Sequence, residues 1–436
     1  MRSLGHPYGY VYHRLILVKR SEQQSDVGKA LLRMEYNNND LGMDLSSRMA
    51  SLEAALRQSI QNDGPIAIQR QLRDLESEGK SVLVRQEILS SLRYEDQDKR
   101  FKDGIFGAGT GTYEWIFNGH EAVPGSTPTL SDDTQVEPVT PPVHFMRWLL
   151  QRNGIFWIEG KPGCGKSTLM KHVSGDKRTV DALKLWAGQG RLVLASHYFW
   201  ISGGPMQRSY EGLLRSLLWD VLRKCPELIE LVCPSRSTSD AMGRDARAMP
   251  WTQADLRHCV ELLASDRLNT TGSPGFFCFF IDGLDEYEGG FEDHREMAKL
   301  LRKLAKAPNI KICTSSREWE VFKTGFSEST SLGNHLLLHL HTKNDISKMV
   351  HQRLKEDRDD RLRDDPDQID LLVKEIIEKA EGVFLWVRMV TRELLPGLEH
   401  QDDIQLLRAR LKFIPSGQWL KKLEFGRHAN LLTFRS

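Results

Sequence analysis

The chain has 436 residues, 40% hydrophobic and 27% charged, the balance of a soluble globular protein with room for about two to three domains. Its 60 Lys and Arg against 59 Asp and Glu leave a net charge of +1, which excludes the basic field of a nucleic-acid or acidic-membrane binder. The longest apolar run, Phe276 to Ile281, is too short to cross a bilayer, and Met1 to Arg20 carries only the patch Leu15-Ile16-Leu17-Val18 without a small-residue cleavage site, so neither a membrane span nor a signal peptide is expected.

In chain order, residues 27–100 read as helical. Leu45, Met49, Leu52, Leu56 and Ile60 make one apolar stripe at helical spacing. Asn62-Asp63-Gly64-Pro65 breaks it, and Leu72, Leu75, Val82, Ile88, Leu89 and Leu92 mark a second helix with Gly79 as a weak point. Residues 1–120 thus form a mainly helical N-terminal region. Residues 121–142, rich in Pro, Thr, Ser and Asp without period, read as a flexible linker.

From residue 143 to 342 strands and helices alternate. The predicted strands are Ile155–Ile158, Leu192–Trp200, Phe276–Ile281, Ile310–Thr314 and Leu336–Leu340, nearly continuous in apolar character, as strands buried on both faces must be. The predicted helices between them are Ser167–Val173, Tyr210–Lys224, Thr252–Leu263 and His294–Lys306. Such alternation predicts an α/β fold, a doubly wound parallel sheet with its ligand at the carboxyl ends of the strands. Beyond Lys343 only helices follow, Asp345–Leu354, Ile369–Ala380 and Phe384–Leu395, so 343–414 is expected to be a helical subdomain. The mixed-charge stretch Lys355 to Asp367 reads as a solvated linker, and 415–436 as an irregular tail. No internal repeat is visible.

The densest chemical signal is Gly160-Lys161-Pro162-Gly163-Cys164-Gly165-Lys166-Ser167-Thr168. It follows the strand Ile155–Ile158 and opens a helix, the context a phosphate-binding loop requires. Gly160, Gly163 and Gly165 let backbone N–H groups approach a polyphosphate, Pro162, Cys164 and Thr168 complete the loop, and the helix N-terminus adds positive potential. Lys166 is placed to reach β- and γ-phosphates and the Ser167 hydroxyl to ligate Mg²⁺.

A second signal is the buried strand Phe276–Ile281 ending in Asp282-Gly283-Leu284-Asp285-Glu286. Asp282 at the strand tip suits the metal, while Asp285 or Glu286 suits orienting or deprotonating a water. The next strand ends Thr314-Ser315-Ser316-Arg317, and Arg317 can either sense a γ-phosphate or form a structural ion pair. The cysteines, Cys164, Cys225, Cys233, Cys259, Cys278 and Cys313, form no CxxC pair, so neither a disulfide framework nor a zinc site is indicated and a reducing, cytoplasmic setting is expected. His258 beside Cys259 reads as packing on an amphipathic helix.

Together Gly160–Thr168, Asp282–Glu286 and Thr314–Arg317 resemble a NACHT-type signalling NTPase of the STAND superfamily. The likeness is to the fungal group with a nephrocystin-3-like N-terminal P-loop domain. Thr112-Tyr113-Glu114-Trp115-Ile116-Phe117, Gln207 to Leu218 and Glu381-Gly382-Val383-Phe384-Leu385-Trp386-Val387 extend the resemblance over residues 85–415. It implies a nucleotide-dependent switch that rests with ADP, exchanges it for ATP with Mg²⁺, hydrolyses slowly, forms homo-oligomers on activation and signals to an effector protein. In fungi that role is nonself recognition or regulated cell death. By position, Lys166 and Ser167 serve phosphate and Mg²⁺, Asp282 the metal, Asp285 and Glu286 hydrolysis, and Arg317 the sensor.

The sequence departs from that family in two places. Glu318 stands where proline usually follows the sensor arginine, and the chain ends at Ser436 where relatives continue into ankyrin, WD40 or TPR repeats. A truncated product, a paralogue without a sensor, or a gene model that stops short are the expectations this raises. Three other readings remain. A small-molecule kinase needs an acceptor pocket and an arginine-rich lid, neither of which is visible. A GTPase needs Asn-Lys-x-Asp; Thr342-Lys343-Asn344-Asp345 has the wrong order, and Asn344 or Asp345 there reads as a helix N-cap. A scaffold stabilised by nucleotide, with little hydrolysis, is the reading from a different class.

Overall fold

The computed structural model describes residues 80–118, 143–151, 153–238, 240–265, 275–356, 366–399 and 404–417. The expected stripe from Leu45 to Ile60, Leu72 and Leu75, the linker 121–142 and the tail beyond residue 417 lie outside the described residues. The chain divides into two compact units. The smaller takes Pro226–Pro250 and the described residues before Leu92; the larger takes Leu92–Cys225 and everything described from Trp251 onward.

In the smaller unit a helix over 80–91 lies beside short helical turns and the helix Ala241–Ala248. Arg85 pairs with Glu230 at 3.1 Å and Arg247 with Glu87 at 2.7 Å. Arg236 is buried and donates to the carbonyls of Met249 and Pro250.

The larger unit is built on a five-stranded sheet in the order β2-β3-β4-β1-β5. The strands are β1 Gly154–Glu159, β2 Arg191–Tyr198, β3 Gly275–Asp282, β4 Ile310–Ser316 and β5 His335–Leu337, and every pairing is parallel. Parallel strands need covered crossovers, and the helices that supply them are α1 Lys166–Gly175, α2 Lys177–Ala187, α3 Tyr210–Lys224, α4 Gln253–Leu262 and α5 Phe291–Ala305. β3 and β4 are buried almost throughout, which accounts for their unbroken apolar sequence: Phe277, Phe279, Phe280, Ile281, Ile310 and Ile312 are all at most 1% exposed. Each such side chain contributes about 1.5–3 kcal/mol through area removed from water.

Within the β1–β5 region two differences from the sequence reading matter most, beside the unpredicted helices Phe145–Leu150, Ala241–Ala248 and Ile404–Phe413. The predicted strand Leu336–Leu340 is cut short: β5 ends at Leu337 and Leu338–Leu340 coils into a 3-10 turn. The helix α2 is additional. Its start is set by Asp176, whose Oδ1 accepts from the Arg178 N–H at 2.8 Å, and its end by Gly188 at φ 57°.

After β5 come α6 Lys343–Glu356, α7 Pro366–Ala380, α8 Phe384–Glu399 and α9 Ile404–Phe413. They bury Ile346, Val350, Ile376, Val387, Leu407 and Leu411 among themselves in a second core. Because α6 begins at Lys343, Asn344 and Asp345 lie inside its first turn and neither is the N-cap; the Ile346 N–H bonds the Thr342 carbonyl at 2.8 Å. The Asp345 carboxylate instead accepts from the Tyr113 N–H at 3.1 Å and the Trp115 indole at 2.8 Å.

Candidate functional site

The loop Gly160 to Gly165 turns from β1 into α1 at the carboxyl edge of the sheet. Gly163 at φ 69° and Gly165 at φ 93° adopt the left-handed conformation that glycine reaches without strain. Gly165 is the residue from which α1 starts, and the Leu169 N–H closes the first helical bond to its carbonyl at 2.9 Å. Lys166 folds back over the loop, its Nζ donating to the carbonyls of Gly160 at 2.8 Å and Lys161 at 3.1 Å. Its ammonium therefore stands at the mouth of the loop. Cys164 is fully buried beneath it, and burial pushes its thiol up, so this sulfur is a packing group.

Asp282 ends β3, with β4 lying between it and β1. Its buried carboxylate accepts from the Ser315 hydroxyl at 2.6 Å, and the Ser167 hydroxyl and the Lys166 charge are near enough to favour its ionised form. Ser315 in turn accepts from the Gly283 N–H at 3.0 Å. Burial raises the Asp282 carboxyl above the ordinary range; the two hydroxyls oppose this. Three segments far apart in sequence therefore meet here: the loop, the β3 tip and the end of β4.

Beyond it, Gly283 at φ 72° turns the chain so that Asp285 and Glu286 diverge. Asp285 accepts from the Arg317 Nε at 2.8 Å through one carboxylate oxygen and from the Arg317 backbone N–H at 2.9 Å through the other. Glu286 accepts from the Ile201 N–H at 3.0 Å. Burial raises its carboxyl, and the neighbouring charges of Asp285 and Asp282 add to the effect. Of the predicted residues, then, Lys166, Ser167 and Asp282 lie within electrostatic reach of one another, Glu286 is within reach of Asp282, and Arg317 is held by Asp285.

Sequence reading did not foresee what covers the loop. The Leu385 N–H bonds the Gly163 carbonyl at 3.0 Å, and Lys161 Nζ binds Glu381 through its carbonyl at 3.1 Å and carboxylate at 3.2 Å. Tyr113 is buried with its hydroxyl 3.5 Å from the Gly165 carbonyl and its ring 6.0 Å from that of Phe384. A Cβ at Gly165 would stand 2.4 Å from that hydroxyl, and one at Gly163 2.6 Å from Leu385 Cβ. The turn feeding α8 is itself unusual, with Glu381 at φ 48° and Gly382 at φ 81°. In the sequence, the Glu381-Gly382 pair just after a helix is the local hint of it.

An all-parallel five-stranded sheet flanked by helices, with a glycine-rich loop between β1 and α1, defines a P-loop NTPase-like α/β core. Residues 140–317 match the family model described as nephrocystin 3, N-terminal, so this stretch is similar to that domain. The matched span holds the loop, Asp282 and Arg317, and leaves out Tyr113 and the Glu381–Leu385 turn. No curated protein matches the chain. Among the described residues no helix is long and apolar enough to cross a membrane.

Proposed function

We propose that the crevice binds a nucleoside triphosphate with Mg²⁺ and that the chain is a NACHT/STAND-type switch with slow ATP hydrolysis. The observation that carries this reading is that Lys166, the Ser167 hydroxyl and the Asp282 carboxylate lie together at a glycine loop that opens a helix. The donor set fits the cofactor. Hydroxyl and carboxylate oxygens suit a hard cation, and phosphate oxygens and water would complete its coordination. A phosphate tail gives the Lys166 ammonium a charged partner in place of two loop carbonyls.

Of the two carboxylates beyond Asp282, Glu286 is the better candidate to orient water, since Asp285 is held by Arg317. The strut from Glu381 and Leu385 to the loop supports the switch reading, because a change in loop shape is transmitted to the helices α6 to α9 through hydrogen bonds. ATP as the nucleotide, homo-oligomerisation, an effector protein and a fungal nonself-recognition role follow from the family resemblance.

Titration calorimetry with Mg-ATP and Mg-ADP tests the reading: wild type binds and Lys166→Ala does not. Unaltered affinity in Lys166→Ala defeats it. Glu286→Gln is expected to keep ATP while turnover falls about 100-fold or more. Binding by wild type without any measurable turnover would favour the scaffold reading.

A further inference from the structure

Arg100 lies outside the matched span and played no part in the sequence reading. Its surroundings hold it at the carboxyl edge of the sheet by three ties. Lys171 of α1 donates from Nζ to the carbonyls of Phe101 and Ile105, fastening the turn Arg100–Gly104 to the helix that follows the phosphate loop. The Phe101 ring packs 5.1 Å from Tyr198 at the end of β2, and the Tyr198 hydroxyl lies 3.0 Å from Ser174 Oγ of α1. The Arg100 guanidinium itself lies 5.5 Å from the Trp200 ring centre, next to Ile201, whose N–H holds Glu286.

The side chain is thus anchored, yet its donors are largely unused. Among the described residues its one hydrogen bond runs from Nη1 to the Gly104 carbonyl at a long 3.3 Å. Its buried Nε has no hydrogen-bond partner among the described residues. A Cβ at position 104 would stand 3.1 Å from Arg100 Cδ, so glycine there gives the side chain room. A preorganised guanidinium with spare donors, stacked on Trp200 beside the amide that holds Glu286, is what a highly charged phosphoryl group needs.

We propose that Arg100 contacts the terminal phosphoryl of a bound nucleoside triphosphate, as a second cation in addition to Lys166. This rests on the nucleotide reading above and deepens it: it assigns discrimination between tri- and diphosphate to a residue in the N-terminal segment. Arg317, tied to Asp285, leaves that role open.

The test is calorimetric titration of wild type, Arg100→Ala, Arg100→Lys and Lys166→Ala with Mg-ATPγS and with Mg-ADP. Arg100→Ala is expected to lose about ten-fold or more in ATPγS affinity and to change less than about three-fold for ADP. Arg100→Lys, which keeps charge but not the fork, falls between the two. Equal losses for both nucleotides in Arg100→Ala point to a structural role and overturn the proposal, as does no loss for either. Circular dichroism melts show whether the variant is folded; should Arg100→Ala fail to fold, the tri- to diphosphate preference of Arg100→Lys decides, and an unchanged preference overturns the proposal. If wild type binds neither nucleotide, the nucleotide reading fails first and this proposal with it, whereas binding by wild type with failure only of the Arg100 pattern leaves that reading standing.

Discussion

Lys311 offers the sharpest quantitative test of the physical description. It sits on β4, fully buried, with its ammonium 4.7 Å from the Trp186 ring centre and 5.2 Å from that of Trp148, donating to the Trp148 carbonyl. Burial pushes its pKa down from 10.5 to about 8, with Cys278 partly opposing. At about 1.4 kcal/mol per pH unit, that gap makes the charged form about 3 kcal/mol costlier in the folded than in the unfolded chain. The sign follows directly: a lysine whose folded value is depressed destabilises fully below pH 8, and the penalty lifts as pH rises toward 10.5. Lys311→Met keeps the volume between the two indoles and removes the charge. It also removes the donor to the Trp148 carbonyl, a loss of about 1 kcal/mol, leaving a net gain of about 1–2 kcal/mol at pH 7. Urea unfolding followed by tryptophan fluorescence at pH 7 and pH 9.5 measures both values. The gain should shrink toward zero at the higher pH. A variant less stable than wild type at pH 7, or a pH-independent gain, would show that the buried-charge argument is wrong.

Asp282→Asn should stabilise the nucleotide-free protein near neutral pH while abolishing Mg-dependent nucleotide binding. Its folded carboxyl is raised by burial, so ionisation costs stability as pH climbs above 3.8, and the gap in melting temperature between variant and wild type should vanish below that pH. Gly382→Ala places a Cβ 2.1 Å from the His339 carbonyl oxygen at a residue with φ 81°, so it should cost about 2–4 kcal/mol in urea titrations; a neutral result contradicts the described turn. Asp345→Ala strands the Trp115 indole and the Tyr113 N–H and should cost about 2–3 kcal/mol, whereas Asp345→Asn, which retains an acceptor, should cost clearly less in the same assay.

Legibility in the sequence followed distance along the chain. The loop Gly160–Thr168 and the acidic tip of β3 could be read because each is a local code: glycines that free the backbone, then a lysine and hydroxyl at the opening of a helix, and an apolar strand that must end in polar groups. The strands β1, β3 and β4 were legible for the same reason, since double burial writes itself as largely continuous apolar sequence. Where a local pattern was weak the reading slipped. Leu338–Leu340 is as apolar as the β5 strand before it, yet it coils, because β5 pairs with β1 only as far as Glu159. The helix α2 went unread because its start hangs on one aspartate.

By itself, then, the amino-acid order determined that a phosphate-loop motif and a carboxylate-tipped strand exist and that an α/β sheet carries them. Only the tertiary structure decided who their neighbours are. The Lys161 and Glu381 pair is separated by 220 residues, the Trp115 and Asp345 bond by 230, and the Ser315 and Asp282 bond by 33. Arg317 was drawn to Asp285, and Arg100 was set beside Trp200, by the same long-range packing. Periodicity encodes which face of an element is apolar, but not which distant polar group it will bring opposite. That choice is made when the sheet closes on its helices and every buried donor must find an acceptor.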